Sequence, residues 1–113
     1  QRVGNTYAPL DTLSSADQKL FDTYDTGKYT SAAPGSIPFL DLGGRYVTAG
    51  ASYSPQLFAG LTQQQVADKL ADPASPIAKA VDGTANVITA DLCQLTGSKP
   101  AAVCSSAGVN AAR

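Results

Sequence analysis

Histidine, glutamate, methionine and tryptophan are all missing from this chain, and cysteine occurs only twice. Without histidine, no side chain titrates near neutrality at its ordinary pKa, and the commonest general base and metal ligand are both gone. Two cysteines eleven residues apart are a poor start for a zinc site, so neither a metal nor a cofactor is expected. Ser14, Ser52, Ser54 and Ser105 have no imidazole to activate them, and no Gly-x-Ser-x-Gly elbow occurs, which leaves hydrolysis without a nucleophile. No catalytic residue is therefore assigned. Charge is scarce as well, with eight basic and nine acidic residues, a net charge of −1, and neither sign gathered into a block. Phosphate-backbone binding requires a Lys/Arg stripe, so nucleic acid is not an expected partner. No apolar run approaches the ~18 residues of a membrane-spanning helix.

The 113 residues amount to a single domain (1–113) or to the C-terminal portion of one. Cys93 and Cys104 bracket a segment containing Gly97 and Pro100. Their spacing favours a structural disulfide tying a helix end to the tail, the kind of staple found in small exported domains. An active dithiol and two free buried thiols are the alternatives. Active pairs are usually closely spaced at a helix start, where the dipole lowers the thiol pKa.

Along the chain, residues 1–12 read as irregular, with Tyr7, Pro9 and Leu10 as anchors onto a neighbour. Ser15 and Gln18 fit a capping box for a first helix with Leu20, Phe21 and Tyr24 on its apolar face, ended by Gly27. Residues 28–36 are loop by composition. A β-hairpin follows, with Gly43-Gly44 as a two-residue turn that sets Leu42 opposite Arg45, Asp41 opposite Tyr46 and Leu40 opposite Val47. That register puts Leu40, Leu42 and Val47 on one face and Phe39 and Tyr46 on the other. A ribbon apolar on both sides is marginal alone and needs neighbours. Asp41 is expected to pair with Arg45 or with backbone donors. Pro55 opens a short helix, and Thr62 with Gln65 caps the next. From Ser75-Pro76, Ile77, Val81, Thr84, Ile88, Leu92 and Leu95 recur at helical spacing, with Gly83 as a kink or close packing point and Gly97 as C-cap. Residues 105–113 read as a flexible tail.

Several of these stretches resemble the C-terminal part of an uncharacterised thioredoxin-like family of actinobacteria and archaea, whose members are exported or membrane-anchored. They are Ser14-Ser15-Ala16-Asp17-Gln18, Leu20-Phe21, Gly35-Ser36-Ile37-Pro38-Phe39-Leu40-Asp41, Gly50-Ala51-Ser52-Tyr53-Ser54-Pro55 and Leu61-Thr62. They continue through residues 73–77, Gly83-Thr84-Ala85-Asn86, Ile88-Thr89-Ala90, Cys93, Leu95-Thr96-Gly97 and Cys104. The resemblance spans nearly the whole chain and implies an α/β class: a partial thioredoxin-like fold, one β-hairpin packed by several helices, lacking the N-terminal half with its Cys-x-x-Cys pair. It implies further that Ile37-Pro38 occupies the place of the thioredoxin cis-proline, making Ser36, Ile37 and Pro38 the substrate-side motif. The bland alternative is a trans proline at the first residue of a strand.

The function so implied is that of a non-catalytic C-terminal portion of an extracytoplasmic thioredoxin-like protein, with thiol-disulfide exchange open only to the complete protein. The alternative is a cell-envelope interaction or structural subunit without redox activity, using Tyr46, Tyr53, Phe58 and the long helix face. Expected partners are the N-terminal half of the parent protein, a second copy of this chain, or another exported protein.

Overall fold

The computed structural model describes all residues except Gln1, Asn5 and Pro9, with backbone alone for Arg2, Val3, Thr6 and Tyr7. The expected anchoring by Tyr7 and Pro9 thus lies outside the described residues, while Leu10 is 89% exposed. Two compact units divide the chain, residues 1–49 and 50–113. The chain is mixed α/β: its strands lie in the first unit, and the second is helical.

The first unit begins with β1 (Arg2–Val3) paired antiparallel to β2 (Thr6–Tyr7), where irregular chain was expected. Helix α1 (Ser15–Tyr24) is capped by Ser14, one residue earlier than the sequence suggests. The Ser14 hydroxyl accepts from the Asp17 N–H at 3.1 Å and donates to the Asp17 carboxylate at 2.6 Å. Asp17 therefore wins over Gln18, because a carboxylate in the first turn also complements the helix dipole. Gln18 instead donates to Asp22, one turn on, at 2.8 Å. Phe21 is half-buried on this helix and meets the ring of Phe39 edge-on at 5.6 Å, a favourable aromatic geometry.

Strands β3 (Phe39–Leu42) and β4 (Tyr46–Ala49) form the expected antiparallel hairpin, but one residue out of the expected register. Gly43 and Gly44 both have φ of +64°, as their sequence demands. The Asp41 carboxylate accepts the Gly44 N–H at 2.8 Å, while the Arg45 N–H donates to the Leu42 carbonyl at 3.2 Å. Arg45 thus joins the loop, and Leu42 pairs with Tyr46, Asp41 with Val47, and Leu40 with Thr48. A one-residue slip transfers every side chain of the second strand to the other face. Tyr46 consequently shares a face with Leu40 and Leu42, and Val47 shares one with Phe39. Asp41 bonds a backbone donor, the second of its two expected partners.

In the second unit, Ser54 and Pro55 start a 3₁₀ turn (Pro55–Phe58). Helix α2 (Gln63–Leu70) carries the complete capping box: the Thr62 hydroxyl accepts from the Gln65 N–H at 3.3 Å, and the Gln65 side chain accepts from the Thr62 N–H at 2.8 Å. Helix α3 (Pro76–Leu95) is capped by Ser75 and runs unbroken through Gly83, whose Cβ position faces open space. Gly83 is thus not a close packing point. The Ser98 N–H returns to the Cys93 carbonyl at 2.7 Å past Gly97, whose φ is +65°, closing the helix as a Schellman-type cap.

The core of this unit differs from the expected stripe. Ile77 is buried as expected, but Leu92 and Leu95 are 43% and 38% exposed, and Ala90 and Cys93 take the inner positions. The reason lies in α4 (Ala101–Cys104) and in α5 (Ala107–Ala111), the latter a helix within the 105–113 segment expected to be a flexible tail. Val109 of α5 is 3% exposed and joins Ala90, Cys93 and Cys104 in one cluster. Such close helix contact needs small residues. A Cβ on Gly108 would lie 2.6 Å from the Asn86 amide nitrogen, so a larger residue there would oblige the Asn86 side chain to move aside.

Candidate functional site

The segment joining α1 to β3 ends in the corner Ser36-Ile37-Pro38. Ser36 closes a turn by donating to the Ala33 carbonyl through both its N–H, at 3.1 Å, and its hydroxyl, at 2.5 Å. That double bond from one residue fixes the chain just ahead of the Ile37-Pro38 peptide, which is cis. Ile37 then stands 81% exposed, and Pro38 is exposed beside it. Phe39, the next residue, turns inward onto Phe21. The corner thus presents an apolar side chain to solvent at the entrance to β3, on a turn held by hydrogen bonds. Its one polar side chain is the Ser36 hydroxyl, already engaged with the Ala33 carbonyl.

Cys93 and Cys104 belong to the second unit and are joined in a disulfide, with Cα atoms 5.7 Å apart. Each is 3% exposed. Both cysteines of the chain are consumed in this bond, and thiol–disulfide exchange requires a thiolate with access to a sulfur. The staple ties the end of α3 to α4, as the structural reading of the spacing expects. Lys99-Pro100, inside the stapled loop, is a second cis peptide.

Two further features escape sequence reasoning. The first unit holds a cleft of about 230 Å³ lined by Tyr24, Tyr29, Gly44, Arg45 and Val47. The rings of Tyr24 and Tyr29 lie 5.6 Å apart, and the Lys28 ammonium sits 4.9 Å from the Tyr29 ring centroid, within cation–π range. Beside these tyrosines, Asp25 is only 4% exposed, and neither carboxylate oxygen has a hydrogen-bond partner. Composition marks residues 28–36 merely as loop. The available signal was two tyrosines five apart enclosing an aspartate at a helix end.

In the second unit a groove of about 450 Å³ runs between α3 and α5, with Lys79, Asp82, Asn86, Val87 and Gly108 among its walls. Among the described residues, no cluster of three His, Cys, Asp or Glu side chains is placed to hold a metal ion. No described helix is long and apolar enough to cross a membrane. The chain matches no known protein family, no curated protein and no solved structure.

Proposed function

We propose that this chain is a non-catalytic portion of an extracytoplasmic thioredoxin-like protein, and that its role is to bind rather than to react. The observation that carries this reading is the β3–β4 ribbon. Among the described residues its strands pair only with each other, although both of its faces carry large apolar groups. Open strand edges beside such faces are templates for another strand. Leu40 at 38% and Ile37 at 81% exposure lie at the β3 end of the ribbon, next to the corner that thioredoxin-like proteins use to meet a peptide. A buried disulfide with no spare thiol supports a passive rather than redox role for the chain itself, and the staple suits an oxidising compartment.

The partner under this reading supplies a strand, either from the missing half of a longer parent or from a second copy. A charge on the corner should weaken that association. Ile37→Asp is expected to reduce strand-mediated association at least about tenfold, the effect of roughly 1.4 kcal/mol, while leaving the circular dichroism spectrum unchanged. Sedimentation of the variant against the parent sequence checks this, and unchanged association would overturn the assignment.

A second reading rests on α3, where Val87, Leu92 and Leu95 are 48%, 43% and 38% exposed. Association that survives Ile37→Asp but is lost in Leu92→Asp would assign the chain instead to the class of envelope interaction subunits that dock through this helix.

A further inference from the structure

We propose that the cleft between the end of α1 and the turn of the β3–β4 hairpin binds a carboxylate carried on an aromatic ring, with Arg45 as its charged partner. The cleft has a volume of about 230 Å³ and is lined by Tyr24, Tyr29, Gly44, Arg45 and Val47. Pockets for drug-sized ligands run from about 300 to 1,000 Å³, so this one takes a group the size of a single aromatic side chain. Its walls suit such a group. The rings of Tyr24 and Tyr29 stand 5.6 Å apart, tilted by 53°, with Val47 beside them, and a third ring gains edge-to-face or offset contact there.

The polar side chains that line the cleft are donors. The Arg45 guanidinium is exposed and lies 6.0 Å from the Tyr46 ring centroid; among the described residues it makes no ion pair. The Tyr24 hydroxyl oxygen lies 3.2 Å from where a Cβ on Gly44 would stand, which brings this phenol to the turn, next to Arg45. No hydrogen bond within the described residues occupies the hydroxyl of Tyr24 or of Tyr29. Neither nearby carboxylate lines the cleft. Asp41 accepts the Gly44 N–H at 2.8 Å, and Asp25 is buried behind Tyr24.

Charge decides which ligand fits. Two tyrosine rings alone would suit a cation, but Lys28 already stands 4.9 Å from the Tyr29 ring centroid, and Arg45 repels a second positive charge. A guanidinium presents a planar fork of donors that matches a carboxylate. The site is open to water, so the affinity falls in the weak class, with a dissociation constant of about 10⁻³ to 10⁻² M. It needs no partner strand on the ribbon.

Titration of the isotopically labelled chain with phenylacetate, followed by amide NMR, tests the site. The Gly44, Arg45 and Val47 amides should shift saturably, and phenethylamine, the same ring on an ammonium group, should leave them in place. Arg45→Gln should weaken phenylacetate binding at least tenfold with the rest of the spectrum unchanged. Tyr24→Phe, which removes the hydroxyl and keeps the ring, should weaken it less. Should Arg45→Gln fail to fold, the comparison with phenethylamine and with neutral phenylacetamide decides the matter. A peptide ending in phenylalanine separates two sources of the ligand: binding tighter than that of phenylacetate and abolished by amidation assigns a chain terminus, and weaker binding assigns a free acid. Equal shifts from phenethylamine, or full binding by Arg45→Gln, would overturn the inference.

Discussion

Val109→Asp is expected to detach α5 from α3 and to destabilise the second unit by at least about 3 kcal/mol, because it places a carboxylate with no partner in an apolar cluster. Val109 is 3% exposed and packs with Ala90, Cys93 and Cys104. The same cluster covers the disulfide, so the variant should also expose Cys93 and Cys104 to reductant. Two measurements follow: urea unfolding monitored by circular dichroism, and the rate of disulfide reduction by dithiothreitol. A lower midpoint together with faster reduction is the expected pair of results. If reduction keeps its original rate, α5 does not shield the sulfurs as described.

Removing the staple itself should be comparably costly. The disulfide closes a loop between residues eleven apart, and the loss of that constraint on the unfolded chain is worth about 3 kcal/mol by loop-closure entropy. The double replacement Cys93→Ala with Cys104→Ala should therefore lower the unfolding free energy by at least about that amount, out of the roughly 5–15 kcal/mol typical of a folded domain. The sulfurs also fill the core beside Ala90 and Val109, so a packing loss adds to this and should remain when the double-alanine chain is compared with the reduced wild type. Equal stability of the oxidised wild-type and double-alanine chains would show that the staple contributes nothing.

How legible these features were in the sequence depended on whether they are local. The Thr62/Gln65 box, the Pro55 and Pro76 helix starts, the Gly97 cap and the hairpin at Gly43-Gly44 are each set by a few adjacent residues, and each stands where it was expected. The hairpin register was not legible, because it turns on whether the Asp41 side chain or a main-chain carbonyl takes a single loop amide. The first cap was read one residue late for a related reason, since Ser14 and Ser15 compete and the choice rests on Asp17 rather than Gln18. The misreading of α3 has a different origin. Helical periodicity identifies the large apolar residues, yet the close approach of α5 makes Ala90 and Cys93 the inner positions and leaves Leu92 and Leu95 outside. Alanine-rich helices such as α4 and α5 carry no apolar stripe of their own and become visible only once they dock.

The candidate site was legible in one part and hidden in another. The Ser36-Ile37-Pro38 corner was singled out through the resemblance alone, composition marking residues 28–36 only as loop ahead of a β-prone run. Asp25 could not be singled out, since nothing in the residues around it says that its carboxylate will be buried without a donor. Burial is a tertiary property, and the 4% exposure of Asp25 is not written in its immediate neighbours.

Solution mass as a function of concentration, combined with amide hydrogen exchange along β3 and β4, probes the ribbon most directly. A partner strand predicts a mass above the 11.5 kDa of the single chain, with outer-edge amides of residues 39–42 or 46–49 becoming protected as the larger species forms. A monomer at every concentration, with those amides already protected, would contradict it.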